Sequence, residues 1–298
     1  MGPTGSGKSS FIEAINSRSP RGPLGIAKNQ LESVTKDVMG YCVRNVLHLR
    51  GPIIYIIDTP GFADPKMSEL QVLGRLKGWR DDCNLGDTVC AIYFHPINDV
   101  RMASSKKKCM EALKSFWGLY NTPNITLVTT MWDNLRPEKR AAAEERFNNI
   151  AADTWGEWLG HGSKPIKFEN TFESALSILN YVVRNGFSLK VESVPKAEGY
   201  GIAKPITGMP VAEELLRERI NLLHQQCQVI DDDLRDPSNQ ENAELMQIFT
   251  KNRNIASELL EKFTSELEKY TLESALPAPP RSKSPRGYES GTRDVRLE

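Results

Sequence analysis

Gly2-Pro3-Thr4-Gly5-Ser6-Gly7-Lys8-Ser9 satisfies the pattern G-x-x-x-x-G-K-S/T, the signature of a loop that wraps backbone N–H groups around a polyphosphate. Gly2, Gly5 and Gly7 allow backbone angles and close approaches that a side chain would block, and Lys8 places a compact positive charge where two phosphates meet. Ser9 offers a hydroxyl to Mg²⁺, and Thr4, Ser6 and Ser10 add further donors around the anion. Such a loop normally springs from a buried apolar strand, yet only Met1 precedes it. The expectation is an incomplete chain start, a gene model beginning at an internal Met with the strand encoded upstream.

Outward from this loop, Phe11, Ile12 and Ile15 recur at helical spacing over residues 9–16, followed by a Pro- and Gly-rich stretch over 19–25. Residues 38–49 alternate toward β character, Gly51-Pro52 punctuates, and Ile53 to Ile57 forms a buried strand running into Asp58, which predicts an antiparallel pair at a sheet edge. Further apolar β runs at 88–94, 124–130 and 165–168 each follow helical stretches, the last after an amphipathic stretch over 137–159. Strands alternating with helices predict an α/β, three-layer fold: a mostly parallel sheet covered on both faces, with an antiparallel edge strand. A helix over 171–184 closes this first domain near residue 190.

Residues 191–210 read as a linker. Leu216, Ile220, Leu223, Cys227, Ile230 and Leu234 then recur at steps of four and three, Asp236-Pro237-Ser238-Asn239 breaks the pattern, and Ala256, Leu260, Phe263, Leu267 and Tyr270 resume it. That predicts an antiparallel helical hairpin over 211–275, packed on something apolar. The Pro-, Ser- and Arg-rich residues 276–298 predict a disordered tail.

The charge balance, 38 basic against 38 acidic residues in 298, gives no general pull toward nucleic acid or an anionic membrane. Five scattered cysteines without C-x-x-C spacing suit neither a disulfide framework nor a zinc site, and point to a cytoplasmic protein. The most apolar stretch, 53–57, is far too short for a membrane span.

Asp58-Thr59-Pro60-Gly61 is the second chemical motif. At the C-terminal end of a strand, Asp58 can hold Mg²⁺ through a water and the Gly61 N–H can meet a γ-phosphate. D-T-P-G alone is also a good turn sequence, so its meaning comes from the loop upstream. Together, the two motifs resemble the septin-like and plant-immunity-associated branch of the translation-factor-related phosphate-loop GTPases. Gly-Pro-Thr-Gly-Ser-Gly-Lys-Ser-Ser, Leu31-Glu32-Ser33-Val34-Thr35 and Leu127-Val128-Thr129-Thr130-Met131-Trp132-Asp133 resemble fungal G-domain proteins of that branch over about residues 1–190.

The resemblance implies GTP or GDP with Mg²⁺ as cofactors, and a metal set of Ser9, Thr35 and Asp58. Thr35 would be the switch threonine that grips Mg²⁺ and the γ-phosphate, with Ser33 its rival. Thr130-Met131-Trp132-Asp133 stands where the family has N/T-K-x-D. Asp133 would accept from guanine N1–H and N2–H, which adenine cannot offer, while Met131 replaces the usual lysine. The last base-contacting loop would use Asn170 and Thr171, in preference to Ser174-Ala175 inside the next helix.

Phe62 occupies the place where many of these GTPases carry a water-orienting glutamine. An apolar group cannot align water, so hydrolysis of GTP to GDP and phosphate should be slow, with help from a dimer partner, His95 or Arg101. His95 reads first as a surface or loop histidine, Lys106-Lys107-Lys108 as a solvated helix face, and Trp155 and Trp158 as core. The expected function is a guanine-nucleotide switch that dimerises through its nucleotide face, or engages a homodimer partner or effector through the C-terminal helices. The alternatives are a nucleotide-binding-defective scaffold and an ATPase of the wider class.

Overall fold

The computed structural model describes residues 1–19, 22–27, 37–43, 54–82, 90–99, 104–118, 125–153, 165–186 and 206–275. Thr35, Ser33, Arg101, Trp155, Trp158 and the tail 276–298 lie outside these residues, as does all of the linker except its last few positions. In chain order the elements are α1 (Lys8–Asn16), β1 (Met39–Val43), β2 (Ile54–Asp58), α2 (Glu69–Asp82), β3 (Ala91–Pro96), α3 (Ser104–Gly118), β4 (Ile125–Thr130), α4 (Pro137–Asp153), β5 (Ile166–Lys167), α5 (Phe172–Gly186), α6 (Pro210–Arg235), α7 (Pro237–Gln240) and α8 (Ala243–Ala275).

The chain is α/β and mostly helical, with a parallel three-stranded sheet in the order β3-β4-β5 and a separate antiparallel pair, β1-β2. The antiparallel pair stands as expected, but among the described residues it does not join the parallel strands in one sheet. Met1 to Thr4 lie between β3 and the segment that follows β2, and their backbone bonds to each. The Phe94 N–H donates to Met1 O at 2.8 Å on one side, and on the other Thr4 N–H donates to Phe62 O at 3.0 Å and Phe62 N–H to Gly2 O at 3.1 Å. Pro3 and Phe62 make a single parallel bridge, too short to merge the sheets.

Strand alternation sends side chains to two apolar layers. Ala91 and Tyr93 of β3 and Ile125 and Leu127 of β4 face the core shared with α2, α3 and the long helices, while Phe94 and Val128 face α1 and α5. In the second layer Phe11 packs on Phe94 and edge-on against Phe168, with centroids 5.3 and 5.4 Å apart. Both faces of the parallel sheet are therefore covered, as buried parallel strands require.

The hairpin forms as its periodicity predicts. Leu216, Ile220, Leu223, Cys227 and Ile230 are buried on α6, and Ala256, Phe263 and Tyr270 on α8. Asp236 ends α6 and caps the four-residue α7 by accepting from Ser238 N–H, which turns the chain back. Of the expected linker, Ile206 and Met209 are buried, and Met209 N–H donates to the Tyr270 hydroxyl at 2.9 Å. The apolar surface under the hairpin is supplied by α2 and α3. Lys108, expected on a solvated face, instead holds α3 to α6 through ion pairs with Glu214 and Glu218, and of that run Lys107 is exposed while Lys106 and Lys108 are half-buried.

Candidate functional site

The glycine-rich loop runs from Gly2 into the first turn of α1, with Gly7 at the N-cap in the left-handed region at φ 84°. Gly2 has φ 141° and sits so close to β3 that a Cβ would meet the Phe94 carbonyl at 2.4 Å. Gly61 approaches the loop from the other side, where a Cβ would meet Thr4 Oγ1, N and Cα at 2.3, 2.5 and 2.6 Å. Glycine at both positions is thus a packing requirement.

Lys8 is buried and its ammonium bonds to the carbonyls of Pro3 and Gly2 at 2.8 and 3.2 Å. Burial lowers its pKa to about 8, while the carboxylates of Asp58 and Asp64 pull it upward. Ser9 Oγ donates to Asp58 Oδ2 at 3.0 Å, joining two residues 49 apart in sequence, and Thr59 N–H donates to Asp58 Oδ1. The buried hydroxyls of Ser6 and Thr59 have no partner among the described residues. On the glycine-rich loop a buried ammonium, a helix N-terminus and the unpartnered Ser6 hydroxyl form an arrangement suited to a multiply charged anion.

Thr130 closes the loop from behind, its hydroxyl donating to Ser6 O at 2.9 Å. β4 ends at Thr130, and Met131 turns the chain at φ 65°, leaving Trp132 buried and Asp133 exposed. Trp132 packs edge-on against Phe147 and donates to Thr129 Oγ1 at 3.0 Å, which anchors the turn that carries Asp133. Asn170, also left-handed at φ 57°, donates from its side-chain amide to Asp133 Oδ2 at 2.9 Å. The loops after β4 and β5 therefore meet through the residues chosen from sequence.

Thr171 does other work. It caps α5, accepting from Ser174 N–H, while Ser174 Oγ accepts from the N–H groups of Glu169 and Thr171, a reciprocal capping box. Ala175 is fully buried, as a small residue facing a packed neighbour. Ser10 lies in the first turn of α1, and Gly5 is exposed at the tip of the loop.

Phe62 keeps the apolar character read from sequence, whereas the expectation for His95 changes. Phe62 is buried in the core and its backbone, paired with Gly2 and Thr4, holds the D-T-P-G segment to the loop. His95 is neither on the surface nor in a loop, because β3 runs on to Pro96 and buries it; desolvation lowers its pKa to about 4. Sequence reasoning also missed Asp64, which is buried with its carboxylate 3.5 Å from Thr4 Oγ1, and Arg219 of α6, which reaches the segment after D-T-P-G. A signal for Arg219 was present: it is a cation spaced three after Leu216 and four before Leu223, inside an otherwise apolar seam.

Among the described residues, no cluster of three or more His, Cys, Asp or Glu could hold a metal ion by itself, and no helix is long and apolar enough to cross a membrane. Compared with known proteins, the chain matches no protein-family model and no curated protein.

Proposed function

We propose that this chain is a guanine-nucleotide-binding protein of the phosphate-loop class, a GTP- and Mg²⁺-dependent switch with slow hydrolysis. The observation that carries this reading is the meeting of Lys8, Ser9 and Asp58 at the N-terminus of α1. A hydroxyl and one carboxylate are a small donor set, which suits an ion that draws its remaining ligands from phosphates and water, as Mg²⁺ does. Ser9 and Asp58 would hold it, and the ion would neutralise charge on the phosphates. Lys8 would turn from the Gly2 and Pro3 carbonyls to the anion, and the orphaned Ser6 hydroxyl would gain a partner.

Asp133 would select guanine, with Asn170 holding its carboxylate in place. Phe62, buried and apolar, supplies no water-orienting group, which supports slow turnover. In this reading the α/β unit is a G domain, the resemblance to the septin-like and plant-immunity-associated branch is one of descent, and the protein works in the cytoplasm without nucleic acid. Dimerisation through the nucleotide face would provide the missing catalytic help.

The second reading, a nucleotide-binding-defective scaffold, draws on the separation of the two sheets around Met1 to Thr4. Calorimetric titration with GTP, GDP and ATP in the presence of Mg²⁺ decides between them. Saturable binding of GTP and GDP, with ATP much weaker, is the expected result. Equal affinity for ATP removes the guanine assignment, and no binding of any nucleotide leaves the scaffold.

A further inference from the structure

The segment between Gly61 and α2 is folded around one carboxylate. Glu69, 2% exposed, accepts from Ala63 N–H at 3.1 Å through Oε1, and Ala63 is held in the left-handed region at φ 56°, an unfavourable place for a residue with a Cβ. The same oxygen accepts from Arg219 of α6 at 2.9 Å. The other nitrogen of that guanidinium donates to the carbonyls of Asp64 and Met67, the latter at 3.2 Å. One planar fork thus gathers two carbonyls of the seven-residue loop and the first residue of α2.

Helix α8 holds the same loop from a second side. Ser68 donates to Glu266, Lys262 donates to the Lys66 carbonyl, and the Phe263 ring lies 5.3 Å below the Arg219 guanidinium. At its opposite end the loop is locked to the glycine-rich loop, through both backbone bonds of Phe62, the close packing of Gly61 on Thr4, and the Asp64 carboxylate beside the Thr4 hydroxyl. A continuous set of polar contacts therefore joins Thr4 to the hairpin, and Arg219 bonds Asp64, Met67 and Glu69 at once.

We infer that Arg219 is a positioning residue that makes hairpin docking and the placement of residues 61–69 against the glycine-rich loop one equilibrium. The inference rests on the nucleotide reading for its ligand, and it specifies how that site is regulated. The docked hairpin keeps residues 61–64 where a third phosphate would meet them, so it favours triphosphate over diphosphate. Reciprocity then requires that triphosphate tighten the hairpin on the loop. Losing the fork leaves Glu69 as a buried carboxylate without its cation, which expels it and frees the loop at both ends together.

The test compares the full chain with Arg219→Met and Arg219→Lys by titration with GTP and GDP and by amide hydrogen exchange. Arg219→Met should weaken GTP about fivefold or more, the lower range of allosteric coupling, with GDP changed less than about twofold. In the wild type, GTP should slow exchange in α6 and α8, and in Arg219→Met it should not. Arg219→Lys, which keeps the charge without the fork, should show the same loss of discrimination in a folded chain. Equal weakening of GTP and GDP, or unchanged discrimination in both variants, overturns the inference.

The nucleotide-free arm separates this inference from the reading beneath it. Without ligand, either variant should speed exchange in residues 61–69 and in α8 together; faster exchange in only one of them overturns the coupling. If the wild type binds no nucleotide, the nucleotide reading fails while this arm still judges the clamp.

Discussion

Lys8, Asp58 and Asp64 are buried around the glycine-rich loop, whereas Asp133 and Asn170, which carry the base-selecting role in our reading, are exposed. The first group is locked by backbone: Phe62 pairs with Gly2 and Thr4, Phe94 with Met1, and glycines stand where a Cβ would collide. The second is held by one side-chain hydrogen bond between two left-handed residues' loops, with Trp132 as the anchor beneath. The difference teaches how one site divides its labour. Buried, preorganised charge acts strongly on an anion because solvent does not screen it, while exposed groups choose between ligands by geometry at smaller energetic cost.

The sharpest way to break this contrast is Gly61→Ala. Its Cβ would lie 2.3–2.6 Å from Thr4, most of it against backbone, so the interlocked half must open. Denaturant unfolding should show a loss of about 3 kcal/mol. Gly5→Ala, with open space at its Cβ but φ of 75°, should cost about 1 kcal/mol, the price of a left-handed alanine alone. Equal effects at the two glycines would mean that the loop is not locked by its neighbours.

Lys8→Ala should weaken GTP by about 100-fold or more in titration, because a charge-assisted contact in a buried setting is lost. Asp133→Asn should weaken GTP roughly 30-fold and improve xanthosine triphosphate, since the amide reverses the donor pattern offered to the base. A smaller loss at Lys8 than at Asp133 would invert the proposed ranking of the two halves.

His95 sharpens the comparison through pH. Its folded pKa of about 4 lies below the ordinary 6.5, so the unfolded chain binds more protons between these values. The stability that the buried neutral imidazole contributes is fully present above pH 6.5 and is lost as pH falls toward 4. Unfolding free energy should drop by roughly 2 kcal/mol between pH 7 and pH 5, and His95→Gln should flatten that dependence. A wild-type stability that does not change over this interval would contradict the burial of His95 as the cause.

The smallest effect belongs to the exposed half. Asn170→Ala removes one hydrogen bond at the surface and should weaken GTP by about fivefold, with thermal stability almost unchanged. A loss as large as that at Lys8 would show that the base half is as preorganised as the phosphate half.

Much of this architecture was legible from short patterns. The helical spacing of Phe11, Ile12 and Ile15 and the steps of three and four along α6 and α8 encode burial over one element, which needs no knowledge of partners, whereas the apolar run into Asp58, expected as a buried strand, is only partly buried up to Ile57. Strand ends were less legible: β3 was expected to stop at Phe94, and its continuation to Pro96 depends on pairing with Thr129 and Thr130 of β4. The role of Lys108 was missed because a lysine run looks solvated until another helix brings two glutamates beside it.

By itself the sequence determined the glycine positions, the helix that follows them, the D-T-P-G turn and the two long amphipathic helices, because each depends on backbone freedom or on periodicity within a dozen residues. Only the tertiary structure decided that Ser9 reaches Asp58, that Asn170 reaches Asp133, that Met1 to Thr4 bond to β3 on one side and to Phe62 beyond β2 on the other, and that Arg219 closes on Glu69. Those meetings join residues from 37 to 150 positions apart. They are set by register, crossover and helix docking, which no local pattern of side chains contains.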